Sequence, residues 1–229
     1  MAFKILFANL TDTHTPVPEL LLNGLNRFQT ATENQRRVLR EAATAADGAR
    51  LEIHSIPASN ALSNGAGLQR TRKAGIRIAA GSGASAVAAD IYTMERGGEK
   101  PLREGTARLA CVRTGTNIAA MMRAVRTLTS EEAPDLFKLP NGVFTARLLS
   151  APALFVDSLW LEPENGRQID RRIFPYHTVV PEIHLFAPMN SVDFFTSVRP
   201  IAEYWRDFQR KGIDRDDVGS GDKRPPTAR

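Results

Sequence analysis

One cysteine in 229 residues leaves no partner for an internal disulfide, and Cys111 alone cannot build a cysteine-based zinc cluster. That scarcity points to a reducing, cytoplasmic location. Long hydrophobic runs are also missing. The apolar stretches are short and broken by Arg or Asp, which excludes a membrane-spanning helix and sets the expectation of no membrane partner. The opening MAFKILFANLTD has one Lys followed by four apolar residues, too few for a secretory leader, and reads as a first strand. The phosphate-loop pattern GxxxxGK[ST], the dinucleotide fingerprint GxGxxG and the zinc pattern HExxH do not occur, so neither a cofactor nor a metal is expected.

Charge, by contrast, is concentrated. Residues 66–126 hold eleven basic and four acidic side chains, a surplus of seven against a whole-chain net of +5, so the remainder is net −2. The basic set begins with Arg70, Arg72, Lys73 and Arg77 and continues through Arg103 and Arg113 to Arg126. Nine of the eleven are Arg, whose planar fork suits phosphate oxygens. Tyr92 is the sole aromatic in the segment, which excludes a base-stacking platform and leaves backbone-phosphate contact as the mode of binding. The leading expectation is therefore a nucleic-acid-binding component, for RNA or DNA, within a nucleoprotein assembly. Protein partners would meet the C-terminal region with Phe194, Phe195, Tyr204 and Trp205, although such aromatics commonly belong to a core.

A second expectation comes from Arg113-Thr-Gly-Thr-Asn117. A strand over 106–113 feeding a helix over 118–128 leaves unpaired N–H groups at the helix start, where an anion is attracted. Gly115 admits close approach, Thr114 and Thr116 add hydroxyls, and Arg113 adds charge. The plain alternative is that Thr116 or Asn117 caps an ordinary helix. An enzyme acting on a small phosphorylated or carboxylated substrate would bind it here, with His177 or His184 as acid–base group beside Asp157, Asp170 or Glu182. A third reading is a self-assembling structural subunit whose charge neutralises packaged nucleic acid.

Other candidates read more simply as structure. Cys111 lies within the alternating run Leu109-Ala-Cys-Val, where burial raises a thiol's pKa, so an inert thiol is expected rather than a nucleophile paired with His177. Gly81-Ser-Gly-Ala-Ser85 is not a GxSxG elbow and reads as a tight turn. His14 and His54 are isolated.

The 42% apolar and 24% charged content fits an ordinary globular chain. Phe3–Leu10 reads as a buried strand, and a helical stripe from Pro18 to Ala46 follows, with polar Thr32 and Gln35 marking a place for a break. Strands are expected at Leu51–Ile56 and around Ile76 and Ile78, whereas the small-residue run to Met94 suits helix or strand equally. GVFTARLL, ALFVDSLWL and YHTVVPEIHLF have strand composition, joined in part by the turn EPENG. Ser191 caps a final helix that restarts at Pro200. These elements make a mixed α/β or α+β fold, with a mixed sheet, a long N-terminal helix, a strand–turn–helix unit near 106–128 and a strand-rich last third. One globular domain is expected over 1–212, and a disordered tail over 213–229.

Overall fold

The computed structural model describes residues 3–7, 17–25, 32–44, 49–62, 68, 71–92, 108–139, 141–164 and 171–210. Its elements run β1 (Lys4–Leu6), α1 (Val17–Leu25), α2 (Glu33–Thr44), β2 (Ala49–Ser55), β3 (Arg72–Ala80), β4 (Val87–Tyr92), β5 (Arg108–Thr114), α3 (Thr116–Thr129), α4 (Ala133–Phe137), β6 (Val143–Ala151), β7 (Val156–Pro163), β8 (Arg172–Thr178) and α5 (Ser191–Arg210). The strands form one eight-stranded mixed sheet in the order β5-β4-β3-β2-β6-β7-β8. β1 and β2 both lie parallel to β6, against Val143–Thr145 and Arg147–Ser150 respectively. All other pairings are antiparallel. Among the described residues no helix is long and apolar enough to cross a membrane.

Period-two alternation sends successive side chains to opposite faces of this sheet, and both faces are covered. On one face α3 lays Ile118, Met121, Val125 and Leu128 against Leu51, Leu148, Leu159 and Phe174. On the other, α1 and α2 cover Ile76, Ile78, Val87 and Ile91, while α5 covers Leu149, Trp160 and Ile173 with Phe194, Phe195 and Val198. Phe194 and Phe195 are thus core residues; Tyr204 and Trp205 lie part-buried further along α5, in ring contact with Phe208.

The small-residue run is a strand. Ala86 and Ala88 sit under α3 beside Ala79, where larger side chains would hold the helix away from the sheet. At Gly75 the β4 backbone comes so close that an added Cβ would collide with the Ile91 carbonyl oxygen, which is why the pairing needs glycine there.

Three expectations are corrected. The N-terminal helix is not one long helix. It ends at Leu25 and restarts at Glu33, where Thr32 and Gln35 bond each other's backbone N–H groups in a capping box. The first strand is three residues long and only partly buried, because it pairs with a single neighbour at the edge of β6. The last helix is capped by Asn190, whose Oδ1 accepts from the Asp193 N–H at 2.9 Å, and it runs unbroken through Pro200. β7 and β8 form the expected antiparallel pair, but the Asn165-Gly166 turn lies outside the described residues, as do Gly48, His14, Asp170 and the tail from 211.

Candidate functional site

Three strands place a row of polar side chains side by side: Ser150 on β6 is in register with Asp157 on β7, and Asp157 with His177 on β8. The Ser150 hydroxyl donates to Asp157 Oδ1 at 2.8 Å. Asn117, in the first turn of α3, donates its amide to Asp157 Oδ2 at 3.0 Å, and His177 Nδ1 lies 4.0 Å from the same oxygen. The carboxylate is thereby fixed by two neutral donors with the imidazole in front of it.

A second group sits beneath α3. Asp90 on β4 is 2% exposed and accepts from Arg77 Nε at 2.6 Å and Nη2 at 2.8 Å. Arg113 Nε adds a third bond at 2.7 Å, and Cys111 Sγ lies 3.5 Å from the same carboxylate. Burial opposes the charged form of Asp90, but the hydrogen bonds and charge of Arg77, then those of Arg113, outweigh it and hold the carboxyl below its usual range. Burial opposes the charge of Arg77 in turn, and Asp90 overrides it, so this guanidinium stays protonated.

The two groups meet at one cavity of about 460 Å³, whose polar lining is Arg77, Arg113, Thr114, Asn117, Ser150, Asp157 and His177. β5 and β8 are opposite edges of the sheet, so a cavity shared by both requires the sheet to curl around α3. Chain-order reasoning has no access to that curl. No protein-family model, curated protein or solved structure matches this chain.

Of the sequence candidates, Arg77, Arg113 and Thr114 line the cavity, while Gly115 and Thr116 sit at its α3 end, exposed. Gly115 adopts φ +98° and is itself the N-cap, with no side-chain capping bond. The expected cap from Thr116 or Asn117 is therefore replaced, because the helix already begins at Thr116 and both residues stand inside its first turn. His184 is exposed in the turns after β8 and, with Glu182, lies off the cavity. Cys111 is half-buried beside Asp90 with no imidazole partner among the described residues, and burial, then the Asp90 charge, pushes its thiol up. Gly81–Ser85 closes the β3–β4 hairpin, with the Ser85 hydroxyl donating to Ser82 O at 2.7 Å.

The other basic candidates are only partly described. Arg70 and Arg103 lie outside the described residues, and Arg72 is exposed at the start of β3. Lys73 Nζ bonds Glu52 at 2.6 Å. Glu52 lies between Leu51 and Ile53, which face α3, so it points to the opposite face from Arg77. Ser150 and Asp90 were missed as site residues, and Asn117 was read as part of the anion turn and not as a partner of Asp157. For Asp90 a signal was present: three charges, Arg77, Asp90 and Arg113, each stand inside an apolar strand, where an unpaired charge is costly. Ser150 carries no comparable signal.

A pH dependence follows from the carboxylates. Glu52 is held at about 2, first by its hydrogen bond to His54, opposed by burial, then by Lys73 and Arg147. Asp90 is lowered as well. Depressed carboxylates supply stability that is complete above the unfolded-state value near 4 and is lost as pH falls through the folded values. Urea unfolding should therefore show stability falling steadily below about pH 4, with a smaller slope in Glu52→Gln. A flat profile over that window would contradict these ion pairs.

Proposed function

We propose that the protein is an acid–base enzyme acting on a small anionic substrate held in the cavity between α3 and the ends of β5, β7 and β8. The observation that carries this reading is the convergence on one cavity of two arginines and a histidine backed by a fixed carboxylate. Asp157 faces Nδ1 of His177, which leaves Nε2 to exchange a proton with the reacting group. At 4.0 Å this contact is longer than a hydrogen bond, and the proposed role requires it to shorten when substrate is bound. Ser150 donates to Asp157 and not to the imidazole, so it is no nucleophile of a Ser-His-Asp relay; the proton partner is water or the substrate itself. Arg113, with its side chain 49% exposed, binds the anion, while buried Arg77 forms a fixed positive wall behind it.

The test is turnover of a panel of small carboxylate esters and phosphate esters by the wild type and by His177→Gln. Loss of about 10²- to 10⁴-fold in the variant is expected. Unchanged turnover in His177→Gln would overturn the assignment. Phosphate-backbone binding to nucleic acid draws on the same surplus of positive charge, and its mark is affinity that falls steeply with salt and drops in Arg72→Ala.

A further inference from the structure

We infer, building on the reading of this cavity as a substrate pocket, that its occupant is a monoanionic amphiphile: a small carboxylate carrying an aryl or short alkyl body. The charge inventory points there. Arg77 and Arg113 both donate into the single carboxylate of Asp90, so two positive charges share one internal counter-charge. One unit of positive charge is left over to face the cavity. Across the cavity stands Asp157, whose two described donors, Ser150 and Asn117, are neutral. Counted with Asp157 the four charged groups balance, so the one-unit surplus belongs to the arginine side alone. A carboxylate seated at Arg113 meets it there, whereas a dianionic phosphate would set a second, unmatched negative charge near Asp157. Arg113 engages Asp90 through Nε, which leaves the two Nη groups to bind a carboxylate as a fork.

Beside the polar groups the lining is apolar: Ile118 from α3, Pro152, Phe155 and Val156 around the β6–β7 turn, and Val179 after β8. Val179 is 55% exposed, a large apolar side chain left in solvent at this cavity. Phe155 holds φ +54°, a left-handed conformation rarely taken by a bulky residue, and strain of this kind collects at binding sites. A sugar phosphate would leave these walls unsatisfied; an aryl or alkyl group covers them. The volume of about 460 Å³ suits a ligand of that size.

The experiment is calorimetric titration of the full chain with benzoate, hexanoate, benzamide, acetate and inorganic phosphate. Benzoate or hexanoate should bind about ten-fold or more tightly than acetate, benzamide or phosphate. Arg113→Gln should erase the preference for benzoate over benzamide, and Ile118→Asn the preference for benzoate over acetate. Arg113→Gln leaves the Arg77–Asp90 pair in place, and its fold is checked by urea unfolding; Arg113→Lys, which keeps charge without the fork, should be intermediate. Phosphate binding as tightly as benzoate, benzamide matching benzoate, or binding by neither benzoate nor hexanoate at millimolar concentration would each overturn the inference. Its failure is separable from that of the catalytic reading. Benzoate binding without His177-dependent turnover sinks the enzyme and keeps the ligand class, and His177-dependent turnover of phosphate esters alone does the reverse.

Discussion

Asp90→Asn should lower the unfolding free energy by about 3–5 kcal/mol, the cost of leaving a buried partner charge uncompensated. Arg77 is 8% exposed beneath α3, where its Nη1 points to the Met121 sulfur at 3.8 Å. Asp90 supplies both oxygens of its bidentate pairing. An amide in that place has no charge to offer and presents one N–H₂ group toward guanidinium donors. The double variant Asp90→Asn/Arg77→Met should recover much of the loss, because a methionine fills similar space without a charge to bury. Urea unfolding of the wild type, both single variants and the double variant reads the coupling. A single-variant loss below about 1 kcal/mol would show that the pair is solvated.

Asp157→Ala should reduce the His177-dependent kcat by about 10²- to 10⁴-fold while changing KM far less, because Asp157 acts by holding the imidazole. Ser150 and Asn117 occupy one oxygen each of this carboxylate, so its position is set before any ligand arrives. Asn117→Ala should remove one of the two restraints and give a smaller loss of the same kind. Partial rescue in Asp157→Glu would separate positioning of the histidine from a general packing defect. An unchanged kcat in Asp157→Ala would mean that His177 acts without it, and a raised KM with kcat intact would place Asp157 against the substrate instead.

Local pattern carried much of the fold. The alternation of Ile76 and Ile78, the strand–turn–helix unit near 106–128 and the strands within GVFTARLL and ALFVDSLWL were legible because strand and helix periods are local properties, whereas YHTVVPEIHLF is strand only as far as Thr178. The split between α1 and α2 was legible in part, since Thr32 and Gln35 are a capping pair within one turn of each other. The Ala-rich β4 was ambiguous, because small residues suit either element until it is known which helix packs on them.

The site was legible only in fragments. Composition and local pattern alone placed the positive charge on residues 66–126, excluded the phosphate-loop, dinucleotide and HExxH patterns, and put a helix start just after Thr114. Tertiary structure decided what those charges do. A bulge in β3, where the pairing steps from Ile53–Gly75 to His54–Lys73, turns Lys73 toward Glu52 on the face opposite to Arg77 and Asp90, and strand register sets Ser150, Asp157 and His177 in one row. The curl of the sheet around α3 then brings that row to Arg113. Charge content is additive along a chain, but contact depends on register, face and curvature, which are settled only when distant strands pair.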